Sequence, residues 1–504
     1  MTTDNVAPQE REPVRASQVY RAVWRWHFYA GMLVVPFLLV LAVTGALYLF
    51  HNEIEDWWYR DLRTVAAQQA PMLAPEAIVA HAETAHPGRV LKYLPPAAPD
   101  RAAVVVLRPQ DSGNLSVFVD PYAGKVLGAQ DERGTIMWTV RELHSLSFFG
   151  PIANGAIEIA AGWTILLVLT GLYLWWPRGR RQGVVTVRGN PGQRVFWRDL
   201  HAVAGAFAAF FILFLALTGM PWSIVWGAKV NQWANGNNFG YPSGVRVNVP
   251  MSDARLADTG KTTWSLEQAR MPMSQAGAAG HSHGAAHAQA HSDGAAPDHG
   301  QGAQSGGEVA HDHGQAPPPE QARPAGAPPP IGLNAAVAEF TRLGLAPGYV
   351  VNLPASATAV YTGSVYPNDL ARQRVVHLDQ YSGKPLLDMS YADYGPLGRG
   401  LEWGINVHMG QEYGLINQIV LALACVAMVL MCVGGVAMWW KRRPAGRLGI
   451  PPAPKQRAAL RGVMLVMVVG GCLFPLVGAS LIVMLLIDAA VLRLGSGAAA
   501  ATQG

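Results

Sequence analysis

Long apolar runs alternate with polar segments along this chain of 504 residues. Five runs of 19 or more residues carry no charged side chain, and an α-helix of about 20 apolar residues is long enough to cross a lipid bilayer. We therefore predict five transmembrane helices in contact with lipid. They cover 28–51, 201–226 and 462–487, and the later parts of 144–177 and 408–440, where a short lead-in precedes the helix.

Recurring histidine spacings indicate that most of the membrane part occurs twice. His27 and His201 each stand seventeen residues before a Thr-Gly pair, and His144 and His408 each stand thirty-one residues before a Trp-Trp pair. Two unrelated hydrophobic helices would not keep both spacings. The repeated unit consists of a helix, a polar domain and a second helix, and such a duplication places equivalent histidines opposite one another.

Basic residues predict the orientation of the chain. Arginines and lysines concentrate in three segments, and positively charged flanks favour the cytoplasmic side of a membrane. The segments 1–27, 178–200 and 441–461 are therefore expected in the cytoplasm, whereas 52–143, 227–407 and the tail 488–504 are expected outside. The net charge of +5 reflects this topology, so nucleic acid is not an expected partner.

The first external segment has the pattern of a small α+β domain. Apolar periodicity predicts a helix over 75–86, and β-type runs predict strands over 90–94, 103–107 and 115–119. The last strand leads into the turn Asp120-Pro-Tyr-Ala-Gly124-Lys125, whose proline and glycine suit a tight hairpin. The second external segment repeats this turn at 379–384, after a strand predicted over 374–378. The duplication therefore includes the external domains.

The second external segment also carries an insert. His201 and His408 are 90 residues further apart than His27 and His144, and most of this excess lies in 271–330. Its Ala, Gly, Pro, Gln and His content is typical of a disordered loop. Because imidazole binds divalent metals such as Cu(II), Ni(II) and Zn(II), the insert is either a metal-capture segment or a low-complexity loop without a metal role. The candidate ligands are His281, His283, His287, His291, His299, His311 and His313.

The four repeated histidines and one further histidine are candidate cofactor ligands. The predicted topology places His27 and His201 near the cytoplasmic face, and His144, His408 and His51 near the external face. Two imidazoles on one haem iron leave no open position, which favours electron transfer over oxygen chemistry. The chain has no C-x-x-C-H motif, so we expect two haems of the non-covalent b type.

The pairing of these ligands has two alternatives. Pseudo-symmetry pairs His27 with His201 and His144 with His408, whereas the alternative pairs His51 with either of the other external histidines. His51 has no counterpart in the second copy. Small residues near the sites are expected to admit a flat macrocycle between the helices, namely Gly31, Gly162 and Gly205.

These features resemble those of the PepSY-associated transmembrane helix proteins, also called iron-regulated membrane proteins. The likeness rests on the repeated His and Thr-Gly spacings, on the segment Leu143-His144-Ser145-Leu146, and on the turn at 120–125 that is typical of PepSY domains. It covers about residues 18–443. The His-rich insert and the fifth span are additions to the family pattern.

The resemblance sharpens the expected fold and location. We expect an α-helical membrane protein with five transmembrane helices in a duplicated helix–domain–helix unit. The two external segments are expected to be small α+β, PepSY-like domains. The resemblance further implies the bacterial inner membrane, which makes the external domains periplasmic.

Two function classes follow. Some family members are ferric-siderophore reductases that carry two haems, so the resemblance implies an electron-transfer enzyme that reduces a ferric siderophore or other ferric chelate outside the membrane. The chain has no dinucleotide, flavin or iron–sulfur motif, so a quinol or a cytoplasmic reductase would supply the electrons. The alternative is a non-enzymatic membrane protein that binds metal or peptide partners and has a regulatory or metal-capture role.

Overall fold

The computed structural model describes residues 11–178, 183–236, 250–260, 262–275, 328–446, 448–451 and 457–486. Its helices are α1 Arg11–Tyr48, α2 His51–Trp58, α3 Arg60–Arg63, α4 Pro75–Ala85, α5 Ile136–Ser145, α6 Pro151–Trp175, α7 Arg194–Gly219, α8 Trp226–Gly236, α9 Gly332–Arg342, α10 Pro396–His408, α11 Gly414–Arg442, α12 Arg457–Leu473 and α13 Pro475–Leu486. Its strands are β1 Arg89–Leu94, β2 Ala103–Arg108, β3 Leu115–Val119, β4 Val126–Asp131, β5 Met251–Arg255, β6 Arg270–Pro272, β7 Val350–Asn352, β8 Val360–Val365, β9 Arg374–Asp379 and β10 Pro385–Ser390.

Four helices of the described chain are long and apolar enough to cross a membrane, and they coincide with the first four predicted spans. Their apolar parts are Gln18–Tyr48, Pro151–Trp175, Arg194–Trp222 and Gly414–Arg442. α1 packs against α6 and α11, and α7 packs against the same two helices. Val34, Ile212 and Met428 meet in the apolar core between them.

The predicted fifth span over 462–487 is not confirmed as one continuous helix. Helix α13 begins at Pro475, one residue after the break that follows α12, and proline interrupts helical hydrogen bonding. A Cβ on Gly471 would lie 2.8 Å from the Cα of Gly478, although seven residues of straight helix span about 10 Å. The two short helices therefore fold back on each other. The predicted external position of the tail 488–504 falls outside the described residues.

Basic side chains cluster at one end of the helix bundle. The Arg178 guanidinium lies 5.4 Å from the centre of the Tyr20 ring, and that of Arg442 lies 5.0 Å from the Trp24 ring. Lys441 Nζ donates to the Gly192 carbonyl at 3.0 Å. The start of α1, the end of α6 and the end of α11 thus meet at what we call the basic end.

The two polar domains share one sheet at the opposite end, which we call the sheet end. Its eight strands are ordered β10-β9-β8-β7-β1-β2-β3-β4. β1 and β7 pair antiparallel at the centre, where Tyr93 lies opposite Val351. Helices α4 and α9 pack together, and Ile78 and Phe340 join the sheet residues in one core. The α+β character of both domains is confirmed, but no sequence pattern indicated that they form a single sheet.

The repeated turn has the same structure in both domains. The backbone N–H of Asp120 donates to the Lys125 carbonyl at 2.9 Å, and that of Asp379 donates to the Lys384 carbonyl at 2.9 Å. Gly124 and Gly383 have φ values of +66° and +71°, a region that favours glycine. The predicted hairpin turns are therefore confirmed.

The insert begins and ends at the second of these turns. The backbone N–H of Gln275 donates to Asp379 Oδ2 at 3.1 Å, and that of Ile331 donates to the Gln380 carbonyl at 2.8 Å. The two ends of the insert are thus held by neighbouring residues. The insert was predicted to be disordered from residue 271, which is wrong at its start, because Met271 and Pro272 are buried in β6. The seven insert histidines and the rest of the predicted disorder, 276–327, fall outside the described residues.

Candidate functional site

Two histidines from the two halves of the chain face each other near the basic end. His27 lies in α1 and His201 in α7, and their ring centroids are 6.4 Å apart with the ring planes at 80°. A metal binds an imidazole nitrogen at about 2 Å, so two imidazoles on opposite sides of one metal have centroids roughly 6 Å apart. The spacing of this basic-end pair matches that requirement.

A second pair lies near the sheet end. His144 is in the last turn of α5 and His408 ends α10. Burial lowers the pKa of His144 to about 4. Burial, together with the nearby charge of His144, lowers the pKa of His408 to about 3. Both imidazoles of this sheet-end pair are therefore neutral at physiological pH, which is the form that binds metal.

Threonines hold three of the four imidazoles through Nδ1. His27 Nδ1 is 2.9 Å from Thr170 Oγ1, His144 Nδ1 is 2.9 Å from Thr44 Oγ1, and His408 Nδ1 is 2.8 Å from Thr218 Oγ1. Within each half, the helix that bears a histidine packs against the helix that bears its threonine: α1 with α6, α5 with α1, and α10 with α7.

These contacts decide which ring nitrogen carries the proton. Each threonine hydroxyl also lies within hydrogen-bond distance of a carbonyl in its own helix, 2.6 Å for Thr44, 2.8 Å for Thr170 and 2.7 Å for Thr218. A carbonyl only accepts, so the hydroxyl donates to it and accepts from the imidazole N–H. The proton therefore sits on Nδ1, and Nε2 keeps a free lone pair.

His201 reaches the same state through a different partner. Its Nδ1 lies 2.8 Å from the backbone carbonyl of Met431, which again accepts and fixes the proton on Nδ1. All four histidines thus keep the lone pair of Nε2 available, and a hydrogen bond at the other nitrogen orients each ring. Such a second hydrogen bond is typical of metal-ligating histidines.

Glycines lie directly against the same rings. A Cβ on Gly171 would be 3.2 Å from His27 Cε1, and one on Gly45 would be 3.3 Å from His144 Cε1. On the other half, a Cβ on Gly219 would be 3.6 Å from His408 Cε1, and one on Gly435 would be 3.1 Å from His201 Nδ1. The missing side chains let the helices approach the imidazoles closely.

The model of the PepSY-associated TM region family matches residues 24–442, a stretch that contains all four histidines and their partners. The chain belongs to this family. The resemblance inferred from the sequence is therefore confirmed. Among curated proteins, none matches the chain.

The glycines expected to flank a cofactor in this PepSY-associated protein are not the ones that contact the histidines. A Cβ on Gly162 would meet Val477 at 2.4 Å, and one on Gly205 would meet the Met431 sulfur at 3.2 Å. A Cβ on Gly31 would have nothing within 4 Å apart from its chain neighbours and the backbone of its own helix. The expectation was wrong for Gly162, because Val477 and Phe474 fill the space beside it.

The sequence held a signal for these partners. The Thr-Gly pairs at 44–45, 170–171 and 218–219 recur at fixed spacings from the histidines. From the sequence alone these spacings indicate the duplication but not the hydrogen bonds to the imidazoles. The fourth equivalent position reads Gly434-Gly435, which explains why His201 bonds to a backbone carbonyl. A Cβ on Gly434 would lie 3.2 Å from the backbone of His201 and Trp197, so α7 and α11 approach closely here.

His51 is placed differently from the four repeated histidines. Its ring stacks on Tyr48, with centroids 4.7 Å apart and planes at 9°, and its Nδ1 lies 2.9 Å from the Tyr48 carbonyl. The structure thus brings His27 next to His201 and His144 near His408, and the choice between the symmetric pairing and a pairing through His51 stays a prediction.

Proposed function

We propose that this protein is a b-type dihaem electron-transfer protein with one haem between His27 and His201 and another between His144 and His408. The observation that carries the proposal is the arrangement of the four imidazoles. They form two pairs, each with one member from each half of the chain, and each ring has Nδ1 hydrogen-bonded and Nε2 free. Paired neutral imidazoles are a common axial ligand set of haem iron.

The ligand set suits haem better than an isolated metal ion. In the described part of the chain, no group of three or more His, Cys, Asp or Glu side chains could hold a metal. A structural zinc site needs four such ligands, whereas a porphyrin supplies four nitrogens of its own and needs only two from the protein. The close glycines beneath the rings support the same assignment, because they leave room for imidazoles between tightly packed helices.

The positions of the pairs support transfer across a membrane. In α1, His27 lies seventeen residues before Thr44, which holds His144, and this stretch of helix spans about 25 Å. Haem bound between His27 and His201 and between His144 and His408 would supply one-electron Fe(III)/Fe(II) chemistry near each side of the bilayer. The clustered arginines and lysines support a cytoplasmic location of the basic end, because positively charged flanks favour that side of a membrane.

The proposed substrate is a ferric chelate, in particular a ferric siderophore, reduced at the sheet end. The support is the family resemblance together with ligation that leaves no open iron position for oxygen chemistry. One electron converts the chelated Fe(III) to Fe(II), which hard oxygen ligands hold less tightly. A quinol or a cytoplasmic reductase is the proposed electron donor, and the bacterial inner membrane the proposed location.

Counting haems in purified variants tests the cofactor proposal. The wild-type protein should contain two haems per chain, and His201→Ala and His408→Ala should each contain one. His51→Ala is the matched control and should keep both, because His51 lies outside the two pairs. A colourless wild-type protein with bound divalent metal would instead favour the non-enzymatic, metal-binding alternative.

A second experiment tests the reaction. Protein reduced with dithionite and freed of excess reductant is mixed with a ferric siderophore and a chromophoric Fe(II) chelator. We expect the reduced haem bands to disappear as the Fe(II) complex forms, with one Fe(II) per haem oxidised. Bands that persist in the presence of the chelate would refute ferric reduction while leaving the haem assignment intact.

A further inference from the structure

A pair of carboxylates, the buried Glu402 and the half-buried Glu267, lies where α10 meets the 3-10 turn Trp264–Leu266. Glu402 is only 3% exposed and stands six residues before His408 on α10. Its Oε1 accepts the backbone N–H of Ser265 at 2.9 Å. Glu267 Oε2 accepts from Asn231 Nδ2 at 3.0 Å, and the same amide also donates to the Trp264 carbonyl at 3.0 Å.

The surroundings of the pair hold no compensating cation among the described residues. Burial and the charge of Glu402 raise the pKa of Glu267 to about 7, and burial also raises the pKa of Glu402. Tyr366, Tyr391 and Tyr394 are the other titratable groups that sense the charge of Glu402, and burial raises the pKa of all three, so they stay neutral. On the packed helices, Lys229 of α8 and Arg399 of α10 are exposed. Glu412, beyond α10, accepts from Asn406 Nδ2.

Two carboxylates in one buried cluster do not ionise independently, because the first charge opposes the second. The structure also offers a donor for the ionised form. Ser265 Oγ is buried and meets the geometry of a hydrogen bond with no described residue, yet it lies close enough to Glu402 to lower the pKa of that carboxyl, as does the backbone N–H of Ser265. The hydroxyl is thus placed to donate to an ionised carboxylate. The cluster is therefore suited to both a protonated and an ionised state.

We propose that Glu267 and Glu402 together bind one proton, and that they bind it when the haem at the sheet-end pair is reduced. This inference rests on the proposed function. Glu402 lies about 9 Å along α10 from His408. An electron that converts Fe(III) to Fe(II) adds one negative charge there, and the carboxylate becomes a carboxylic acid by binding one proton from water. Glu267 is half-buried, which gives this proton a path from solvent.

The coupling is reciprocal. If reduction favours protonation, a lower pH must favour reduction of the same haem. For charges roughly 15 Å apart at an effective dielectric constant near 20, the Coulomb interaction corresponds to about a sixfold change in the equilibrium constant for reduction. The basic-end haem is much further away and should change far less.

Redox titration of both haems at pH 6 and pH 8 tests the proposal in the complete dihaem protein. In the wild type, the equilibrium constant for reduction of the sheet-end haem should rise roughly three- to sixfold on going from pH 8 to pH 6. Glu402→Gln and Glu267→Gln should lose most of this change, and Glu267→Asp should retain it because it keeps a titratable carboxyl. The basic-end haem is the control within each molecule.

The outcomes separate this inference from the proposed function. Two haems with a sheet-end potential that does not depend on pH would overturn the proton coupling alone. Wild-type pH dependence in both Gln variants would overturn it as well. A protein without haem would overturn both proposals. A merely structural role of the pair would lower haem content in the Gln variants but leave the pH dependence of the remaining haem unchanged.

Discussion

Alanine substitution of the glycines beside the histidines tests the geometry of each pair separately. The added methyl group of Gly171→Ala would lie 3.2 Å from His27 Cε1, and that of Gly45→Ala would lie 3.3 Å from His144 Cε1. The methyl group of Gly31→Ala would have no side chain and no other helix within 4 Å. Gly219→Ala gives an ordinary contact of 3.6 Å with His408. The added methyl group thus crowds a histidine ring in Gly171→Ala and Gly45→Ala, and it crowds nothing in Gly31→Ala and Gly219→Ala.

The expected magnitudes follow from these distances. Replacing glycine by alanine inside a helix stabilises it by up to about 1 kcal/mol, and this is the whole effect expected for Gly31→Ala. At 3.2–3.3 Å the imidazole must move by a few tenths of an ångström, and overpacking of this kind costs about 1–3 kcal/mol. A loss of about 2 kcal/mol weakens binding roughly 30-fold. The loss should fall on one haem in each tight variant.

The assay is haem content and haem retention in the purified variants. Gly171→Ala should lose the basic-end haem and keep the sheet-end haem, and Gly45→Ala should do the reverse. Gly31→Ala and Gly219→Ala should keep both. The reasoning would be refuted if Gly171→Ala and Gly31→Ala retained both haems equally well, since only the first methyl group contacts a proposed ligand.

Three further predictions concern other parts of the molecule. Thr170→Val should weaken binding of the basic-end haem 10- to 100-fold in haem-transfer assays, because the buried Nδ1–H of His27 loses its acceptor. Loss of a hydrogen bond behind a metal ligand has an effect of this size in other proteins. Thr170→Ser keeps the hydroxyl and should restore the affinity. Glu267→Gln should raise the free energy of unfolding by up to about 3 kcal/mol at pH 8 and change it little at pH 4. The pKa of Glu267 is raised from 4.5 to about 7, so between these pH values the folded chain binds more protons than the unfolded chain. The stability of the wild type therefore falls as pH rises through this range. Thermal unfolding of both proteins at pH 4 and pH 8 measures the effect. Deletion of 276–327 should leave haem content and membrane insertion unchanged. The residues at the two ends, Gln275 and Ile331, are hydrogen-bonded to the adjacent residues Asp379 and Gln380, so they can be joined by a short link. Aggregation of the shortened protein would contradict this.

Features that repeat in register were predictable from the sequence. The first four spans follow from long uncharged apolar runs, and the turn at 120–125 and the four repeated histidines stand at positions that recur in both copies. The strand predicted over 115–119 matches β3 at both ends. Such signals are local or periodic, so a single sequence carries them.

Features that depend on distant contacts were not predictable in the same way. The pairing of β1 with β7 joins strands more than 250 residues apart, and nothing in either strand specifies that partner. The run over 462–487 is continuously apolar, and the break before Pro475 together with the approach of Gly471 to Gly478 shows that it folds back. Glu158 stands at the edge of an apolar run, yet it is buried and accepts the backbone N–H groups of Val225 and Trp226 at the start of α8.

The central pairing of β1 with β7 also bears on the origin of the molecule. Antiparallel pairing of two equivalent strands is what a two-fold axis produces in a homodimer. A protein consisting of a single half would contribute one histidine to each pair, so it could complete either pair only by dimerising. Fusion of two such halves into one chain removes the need for an encounter between subunits. It also frees each half to diverge, and the insert and Gly434, which stands where the first half has Thr170, occur in the second half alone.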